Sequence, residues 1–486
     1  MYIISRQKQE KNHSMEQGST SVPPHVLVFP FPVQSHVNVM LNLAEIFSIS
    51  GFQITFLIPD HIQTGPRFDQ ISLRFARYPA FYFQAISDGL PLDHPRTGDR
   101  VKELFDSINV TTKPQFRNVL KSRALSSNSR APLTCIIADG IMSFTIDIAQ
   151  NFGIPTVLFR PFSATCFWTL FCVPKLIQAG ELPLKEDSDM DRLVENIPGM
   201  ERVLRVRDLP SFCRVEDAAD PQLQHVVSET HRATGAHSLI LNTLEDLEEP
   251  ALARIRANFP KLYVIGPLHG YFRPLWSPNS LNEQHRSCIE WLDDQPLKSV
   301  VFVSFGNMTV LKSQQLVEFW YGLVNSGKPF LWVVPANLTA GCRIPTELIE
   351  GSGKSGKVVD WAPQEEVLSH PATGGFLTHG GWNSTLESIY EGVPMICWPF
   401  YADQQVNSRL VEEVWRVGVD MKDICDRKTV EKAVRELMEV RREEFLKSSK
   451  DIARLARKSI SEGGSSYANL DCLIKDIKHM NYANST

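Results

Sequence analysis

Short apolar runs alternate with stretches of helical periodicity along this chain, and that alternation restricts the fold more than any other feature. HVLVFPF at 25–31 and QITFLIP at 53–59 are short apolar runs, the pattern of strands buried on both faces. Between them, residues 35–51 carry apolar side chains at helical spacing and finish on a glycine, which favours the end of a helix. A strand, a helix and a strand in this order predict a βαβ unit, and such units predict a parallel sheet.

The alternation runs through the chain twice, which indicates two α/β domains of Rossmann type. The first series continues with LTCIIAD at 133–139, and the second begins with SVVFVSFG at 299–306. A chain of 486 residues is too long for one ordinary core, and the segment between the two series is rich in Pro, Gly and Ser. The predicted organisation is a disordered tail (1–23), an N-terminal domain (24–266), a linker (267–290), a C-terminal domain (291–460) and a C-terminal helix that returns to the N-terminal domain (461–486).

Composition and charge exclude several classes of protein. Charged residues make up 22% of the chain and the formal net charge is -5, so no basic face for nucleic acid is expected. No uninterrupted apolar stretch of about 18 residues occurs, so we expect no membrane-spanning helix. The nine cysteines are dispersed without a C-x-x-C pair, which favours free thiols in a reducing compartment. The start of the chain lacks the apolar region of a signal peptide, so a cytoplasmic location is expected.

Residues 361–404 carry the most informative pattern in the sequence. THGGWNSTLE places His379 at the end of a strand, followed by two glycines and the start of a helix. Glycine lets a ligand approach the backbone closely, and the free amides of a helix N-terminus attract phosphate. Asn383 and Ser384 can add side-chain hydrogen bonds, and Glu387, one turn further on, can accept hydrogen bonds from a ribose diol.

Three further residues of the same stretch fit a nucleotide-sugar site. Trp361 follows an apolar strand and offers a flat face for a base, whereas Asp403 and Gln404 follow another strand and can bond sugar hydroxyls. Each feature taken alone has a structural alternative, because two glycines before a helix are often only a tight turn and a tryptophan is often only part of the core. The ordered set of residues is what favours a binding site.

The ordered set resembles the signature box of plant secondary-product glycosyltransferases, family 1 enzymes that use UDP-sugars and have the GT-B fold. The match runs from Trp361 to Gln404 and includes W-A-P-Q, H-P, F-x-T-H-G-G-W-N-S-x-x-E, G-V-P and D-Q. The wider resemblance begins near residue 24 and covers nearly all of the remaining chain. It implies an α/β protein of two facing Rossmann-like domains with mainly parallel sheets, in which the N-terminal domain binds an acceptor and the C-terminal domain binds the UDP-sugar.

The same resemblance implies a role for each residue of the signature. A glutamine at its end is typical of members that use glucose. The implied contacts are Trp361, Ala362 and Gln364 for the uracil, Glu387 for the ribose, His379, Gly381, Asn383 and Ser384 for the diphosphate, and Trp382, Asp403 and Gln404 for the hexose.

A second pair of residues, His36 and Asp139, lies at one edge of the predicted N-terminal sheet. His36 starts the helix after the first strand, and Asp139 ends the strand LTCIIAD. A neutral imidazole can take a proton from an acceptor hydroxyl, and a carboxylate on its other ring nitrogen fixes the tautomer. Spacing alone leaves the alternative that His36 is a polar residue at a helix start and Asp139 a helix cap. The catalytic histidine and aspartate of the resembled family fall on these two positions.

Two positions depart from the family pattern, and one motif belongs to a different fold. Ser35 stands where relatives commonly have glycine, and Asn307 stands where they have serine or threonine. The amide of Asn307 can still donate to a phosphate oxygen, so we count it among the UDP-sugar-binding residues.

DSDMD at 187–191 contains the D-x-D pattern of metal-dependent glycosyltransferases, but it lies in a polar segment far from any strand end. No metal cofactor is therefore expected.

The predicted function is inverting transfer of glucose from UDP-glucose, a co-substrate, to a hydroxyl or carboxyl group of a small lipophilic plant metabolite. Apolar segments at 143–150, 160–168 and 209–213 are predicted to line the acceptor pocket. NIPGMERVLRVRDLPSFCR resembles plant glucosyltransferases that act on iridoids such as 7-deoxyloganetic acid. Two alternatives stay open: another nucleotide-sugar enzyme of this fold, such as a UDP-sugar epimerase, and a non-catalytic binding protein. We expect a monomer.

Overall fold

The structure is a computed structural model that describes residues 22–122, 131–185, 189–272, 283–335 and 356–483. Nearly all of the predicted N-terminal tail and the middle of the predicted linker lie outside these described residues. Within them, the chain forms two α/β layers, each built on one parallel sheet with helices on both faces.

The N-terminal sheet has seven strands in the order β3-β2-β1-β4-β5-β6-β7, and all neighbours are parallel. The inner strands are almost wholly buried, because apolar runs of five to seven residues pack against helices on both faces. The strands are β1 (His25–Phe29), β2 (Gln53–Pro59), β3 (Phe81–Ile86), β4 (Leu133–Asp139), β5 (Thr156–Arg160), β6 (Ser238–Leu241) and β7 (Leu262–Val264). The helices are α1 (Gln34–Ile49), α2 (Asp60–Gln63), α3 (Phe68–Phe75), α4 (Val101–Ser107), α5 (Lys113–Lys121), α6 (Phe144–Gln150), α7 (Ala164–Gln178), α8 (Pro221–Arg232) and α9 (Glu245–Asn258).

The C-terminal sheet has six parallel strands in the order β10-β9-β8-β11-β12-β13. Its strands are β8 (Val300–Ser304), β9 (Phe330–Val333), β10 (Gly356–Val359), β11 (Thr373–Thr378), β12 (Met395–Cys397) and β13 (Gly418–Asp420). The helices are α10 (Glu283–Asp293), α11 (Ser313–Ser326), α12 (Gln364–Ser369), α13 (Trp382–Glu391), α14 (Gln404–Arg409), α15 (Arg427–Arg435), α16 (Arg442–Ser459) and α17 (Ser465–Ala483). Because α10 begins at Glu283, part of the segment predicted as a linker is helical.

The last helix, α17, packs on the N-terminal sheet rather than on the C-terminal one. Its buried leucine and isoleucine side chains, which include Leu470, Leu473 and Ile477, join the core formed by β1, β2 and α1. The hydroxyl of Tyr263 on β7 donates to the carboxylate of Asp476 on the same helix. The chain therefore passes from the C-terminal domain back to the N-terminal domain between α16 and α17, which is a second covalent connection between them.

The two sheets meet along the edges where their strands end. The Asn383 side-chain amide donates to the Ser35 carbonyl at 3.1 Å, and the Trp382 indole N–H donates to the Asn242 carbonyl at 2.7 Å. These bonds join the start of α13 to the first turn of α1 and to the loop that follows β6. Residues at the carboxyl ends of both sheets consequently share one narrow cleft, which is where α/β proteins bind ligands.

Candidate active site

His36 and Asp139 form a hydrogen-bonded pair in this cleft. His36 lies in the first turn of α1, Asp139 is the last residue of β4, and β1 and β4 are neighbours. The His36 Nδ1 atom lies 2.6 Å from Asp139 Oδ2, and the Asp139 side chain is fully buried. An ionised carboxylate only accepts hydrogen bonds, so Nδ1 is the donor to it, and a neutral imidazole in this tautomer keeps a lone pair on Nε2. The His36 side chain is 20% exposed, so a small molecule in the cleft can reach it.

Backbone amides fix the buried carboxylate of this pair. The N–H of Phe31 donates to Asp139 Oδ2 at 3.4 Å, and the N–H of Ile141 donates to Oδ1 at 3.2 Å. The carboxylate thus accepts from two separate loops as well as from the imidazole. This arrangement orients the His36 ring and stabilises the imidazolium that forms when Nε2 takes a proton.

The start of α13 forms the opposite wall of the cleft. Gly381 is its N-cap residue, and no side chain among the described residues caps the first turn. The first-turn amides and the helix dipole are therefore available to an anion. A Cβ atom on Gly381 or Gly306 would collide with the His379 ring, so both glycines are needed for this packing. Burial lowers the pKa of His379 to about 4, which keeps its imidazole neutral at physiological pH.

Several signature side chains already have protein partners. Asn383 and Trp382 donate across the cleft, as described above, so their side-chain N–H groups hold the two domains together. Gln364 donates from Nε2 to Ser384 Oγ at 2.9 Å and to Glu387 Oε2 at 2.7 Å. The structure brings these residues together around the first two turns of α13, with Ala362 buried beside them and Asn307 next to Gly306 after β8.

Asp403 and Gln404 lie where β12 leads into α14. Gln404 Oε1 accepts from the backbone N–H groups of Phe400 and Tyr401 at 2.7 and 2.8 Å, which leaves its side-chain amide N–H groups as donors. Burial raises the pKa of Asp403 to about 6, and the hydrogen bond from the Asn407 side-chain amide opposes that rise.

Arg67 is a feature of the site that sequence analysis missed. It lies between α2 and α3 in the N-terminal domain, and its guanidinium carbon is 3.7 Å from the centroid of the Trp361 ring. This is a close cation–π contact across the cleft. Burial lowers the pKa of Arg67 from its ordinary value. No sequence motif marks this residue, because the contact depends on how the two domains meet.

Aromatic side chains line the N-terminal side of the cleft next to His36. The Phe31 ring lies 5.3 Å from the His36 ring and 5.8 Å from that of Phe105, which in turn lies 4.3 Å from the ring of His225. Phe105 and His225 were not among the predicted acceptor segments. Phe31 and Phe105 are 3% and 6% exposed, so these rings form packed apolar walls beside the imidazole rather than an open surface.

Two aromatic residues of the predicted acceptor segments make packing contacts. Phe144 packs with its ring against those of Phe29 and Phe116, and it is 7% exposed. Phe212 packs edge-on against Tyr401 of the C-terminal domain, with ring centroids 5.1 Å apart. These two aromatic residues therefore stabilise the N-terminal core and the contact between domains.

One cluster of potential metal ligands occurs among the described residues. It consists of Asp60, His61 and Asp88, whose ligand atoms lie within 4.8 Å of one another. The carboxylate of Asp88 already accepts from Arg96 Nε and Nη2 at 2.6 and 2.9 Å. Burial alone would raise the pKa of Asp88, but the His61 imidazole 3.3 Å away and the hydrogen bonds from Arg96 lower it below its ordinary value. An arginine thus holds the central carboxylate of this cluster.

The acidic segment at 187–191 is only partly covered by the structure. Asp187 lies outside the described residues. Asp191 forms ion pairs with Arg205 and Arg207 at 3.3 and 2.9 Å.

In the part of the chain that is described, no helix has the length and apolar character needed to cross a bilayer.

Comparison with known proteins identifies the family. A sequence profile for UDP-glucoronosyl and UDP-glucosyl transferases matches residues 281–455, which include α13 and the glycines before it. A 7-deoxyloganetic acid glucosyl transferase of Catharanthus roseus is 51% identical over 481 residues, covering 96% of this chain and 100% of that protein. The chain belongs to the UDP-glycosyltransferase family. The (R)-mandelonitrile beta-glucosyltransferase of Prunus dulcis is 38% identical to this transferase and covers 95% of it, with 99% of its own length matched.

Solved structures show that this UDP-glycosyltransferase has the predicted GT-B fold. Os79 of O. sativa, solved with UDP, matches with a TM-score of 0.77 and 27% identity over 93% of this chain and 100% of that one. UGT2 of Phytolacca americana, solved with UDP-2fluoro-glucose and pterostilbene, matches with a TM-score of 0.77 and 28% identity over 94% and 100%. The predicted family, fold and enzyme class are confirmed, and a transferase is favoured over an epimerase or a non-catalytic protein.

Proposed function

We propose that this enzyme transfers glucose from UDP-glucose to a hydroxyl or carboxyl group of an iridoid acid of the 7-deoxyloganetic type, with inversion at the anomeric carbon. The observation that carries the chemistry is the 2.6 Å bond between His36 Nδ1 and Asp139 Oδ2, opposite the uncapped start of α13. The acceptor class is supported by the 51% identical relative from Catharanthus roseus, which is a 7-deoxyloganetic acid glucosyl transferase.

In the proposed reaction, His36 acts as the general base. Its Nε2 atom takes the proton from the acceptor hydroxyl, and the oxygen attacks the anomeric carbon from the face opposite UDP. The bond between that carbon and the diphosphate oxygen breaks, and its electron pair stays on UDP. Amides at the start of α13 stabilise the growing negative charge, while Asp139 stabilises the imidazolium. A carboxylate acceptor arrives without its proton and needs His36 only for orientation.

The donor contacts are proposed from the neighbourhood of α13. Since the side chains of Trp382 and Asn383 already donate across the cleft, we propose that their backbone N–H groups serve the sugar nucleotide. The remaining proposed contacts are Trp361, Ala362 and Gln364 for uracil, Glu387 for ribose, Asn307, His379, Gly381 and Ser384 for the diphosphate, and Asp403 and Gln404 for glucose.

The proposed role of each domain follows from these contacts. We propose that residues 24–266 bind the acceptor, that residues 291–460 bind UDP-glucose, and that 267–290 and 461–486 connect the two. We propose that the enzyme acts as a monomer. It needs no catalytic metal, because the start of α13 supplies the electrostatic stabilisation that a metal provides in other enzymes. Free thiols among the described residues support a reducing compartment such as the cytoplasm.

The experiment that tests this proposal is an assay of UDP release with and without acceptor. Purified enzyme, UDP-glucose and 7-deoxyloganetic acid are expected to yield UDP and one β-glucoside, with the configuration read from the anomeric proton coupling. Reactions without acceptor serve as the control. A change in the sugar nucleotide without acceptor would support an epimerase, and no UDP release with any member of a terpenoid and phenol panel would contradict the transferase proposal.

The contact between Arg67 and Trp361 gives a prediction for donor binding. A base can stack on that face of Trp361 only after the guanidinium has moved, because the two groups are in contact at 3.7 Å. Arg67→Ala is therefore expected to tighten UDP binding about 2- to 5-fold, the equivalent of about 0.5–1 kcal/mol for an exposed cation–π contact. Isothermal titration calorimetry with UDP measures the change.

Trp361→Ala is the matched control for this prediction. It removes the surface for which Arg67 and the base compete, so adding Arg67→Ala to it is expected to leave UDP affinity unchanged. Weaker binding in the single Arg67→Ala variant would contradict the competition and show instead that the guanidinium holds the bound base.

A further inference from the structure

A buried cation close to the His36–Asp139 pair has no direct ion partner among the described residues. Arg160 ends β5 and is 1% exposed. Its Nη2 atom donates to the backbone carbonyl of Glu229 at 3.0 Å, whereas its buried Nε has no hydrogen-bond partner in the part of the chain that is described. Burying an arginine without a direct carboxylate partner is costly, so its position calls for a functional explanation.

The side chain of Arg160 lies over the backbone that directly follows Asp139. Asp139 and Phe159 are register partners in the sheet, and the N–H of Gly140 donates to the Phe159 carbonyl at 2.8 Å. A Cβ atom on Gly140 would collide with Nε, Cδ and Cγ of Arg160. The rings of Phe162 and Phe167 lie 5.3 and 5.1 Å from the guanidinium carbon, which keeps water away from this side.

We propose that Arg160 is a positioning residue for the proposed glucosyl transfer: its positive charge keeps Asp139 ionised beside His36. An ionised Asp139 accepts the Nδ1 proton and leaves the Nε2 lone pair of His36 directed to the acceptor. A neutral Asp139 would carry a proton of its own and lose that control of the tautomer. This inference rests on the proposed function, because it concerns the base of that reaction.

The charges around the pair support the assignment. Burial lowers the pKa of Arg160 to about 10, while the charges of Asp139 and Glu229 oppose that change, so the guanidinium stays protonated at neutral pH. Arg232, on the same helix as Glu229, pairs instead with Asp147 nearer the surface. The titratable groups that face this region from the neighbouring elements are Glu229 on α8, Cys166 on α7, Cys213 before α8, Glu248 on α9, Asp403 before α14 and His36 on α1. Arg160 therefore supplies positive charge to a region rich in acids.

Removal of the charge is expected to shift the pH profile of the enzyme. Without a cation nearby, the His36–Asp139 pair takes up a proton at higher pH, because the protonated form is no longer disfavoured by the positive charge of Arg160. The acid limb of the kcat/KM profile is expected to move up by about one pH unit in Arg160→Gln and Arg160→Met. Arg160→Lys keeps the charge and is expected to keep the limb within about 0.3 pH unit of the wild type.

The experiment compares these variants from pH 5 to 9 in the glucosyl-transfer assay with an alcohol acceptor, whose transfer requires His36 as the base. Thermal unfolding and UDP affinity show whether each variant is folded, and a purely structural role would lower activity at every pH without moving the limb. An unshifted limb in the neutral variants, or an equal shift in Arg160→Lys, overturns the proposal. If neither neutral variant folds, Gly140→Ala replaces them, since its Cβ displaces the guanidinium. An unshifted limb in that variant then overturns the role of Arg160.

His36→Ala is assayed alongside to separate this inference from the proposed function. If His36→Ala keeps its turnover with the alcohol acceptor, the proposed base chemistry fails, and the role of Arg160 fails with it. If His36→Ala loses turnover while the Arg160 variants keep the wild-type limb, only the role of Arg160 is contradicted.

Discussion

Replacing His36 with alanine is expected to lower kcat for an alcohol acceptor by about a thousandfold, while the affinity for UDP-glucose changes by less than about threefold. General-base catalysis typically contributes a factor of 10²–10⁴, and an alcohol is too weak a nucleophile to attack without losing its proton. The proposed contacts of UDP-glucose around α13 do not include His36, so the affinity for the donor is not expected to depend on this residue. Steady-state kinetics and titration with UDP-glucose measure the two quantities separately.

Two further variants define what the loss means. Asp139→Asn retains the size of the side chain but removes its charge, so it is expected to lower kcat by a similar factor through the wrong imidazole tautomer. His237→Ala, an exposed histidine before β6, is the matched control and is expected to retain full turnover. Full turnover in His36→Ala with an alcohol would contradict the assigned base.

The His36→Ala variant also distinguishes a hydroxyl acceptor from a carboxylate acceptor. A carboxylic acid is already ionised at neutral pH, so its transfer is expected to be much less sensitive to His36→Ala than transfer to an alcohol. An acceptor that bears both groups then reports which oxygen is attacked: a large loss indicates the hydroxyl, and a small loss indicates the carboxylate.

The elements that carry the chemistry could be predicted from the sequence because local signals define them. β4 ends at Asp139 as the apolar run predicts, and α13 spans residues 382–391, with Gly380 before it and Gly392 after it at positive φ angles of 75° and 70° that other residues avoid. Once a parallel sheet is inferred, residues at the ends of neighbouring strands must meet. The contact between His36 and Asp139 therefore follows from the order of the strands.

Contacts between the domains could not be predicted in this way. Trp382 and Asn242 are 140 residues apart, and their hydrogen bond exists only because of how the sheets face each other. The same holds for Arg67 over Trp361. Arg160 did leave one signal, a charged residue closing an otherwise apolar strand.

Glu387 is expected to make the affinity for UDP-glucose dependent on pH. Burial raises its pKa to about 7, although the hydrogen bond from Gln364 opposes the shift. The ribose hydroxyls bond most strongly to the ionised form, because hydrogen bonds to a carboxylate are charge-assisted. Below the pKa, binding must first expel a proton, so the affinity is expected to rise as pH increases from 6 to 8. Calorimetry at several pH values measures this dependence, since UDP-glucose itself does not titrate in that range.

Glu387→Gln removes the charge at every pH while preserving the shape of the side chain. It is expected to weaken UDP-glucose binding about 10- to 100-fold at pH 8 and to abolish the pH dependence, because hydrogen bonds to charged groups contribute about 1.5–3 kcal/mol. Glu412→Gln is the matched control, since burial also raises the pKa of Glu412 but it lies beyond α14, near Asp420. Its affinity is expected to match the wild type. Wild-type affinity that stays constant from pH 6 to 8, or a Glu387→Gln variant that binds normally, would remove Glu387 from the ribose site and leave the first-turn amides of α13 as the main anchor of the donor.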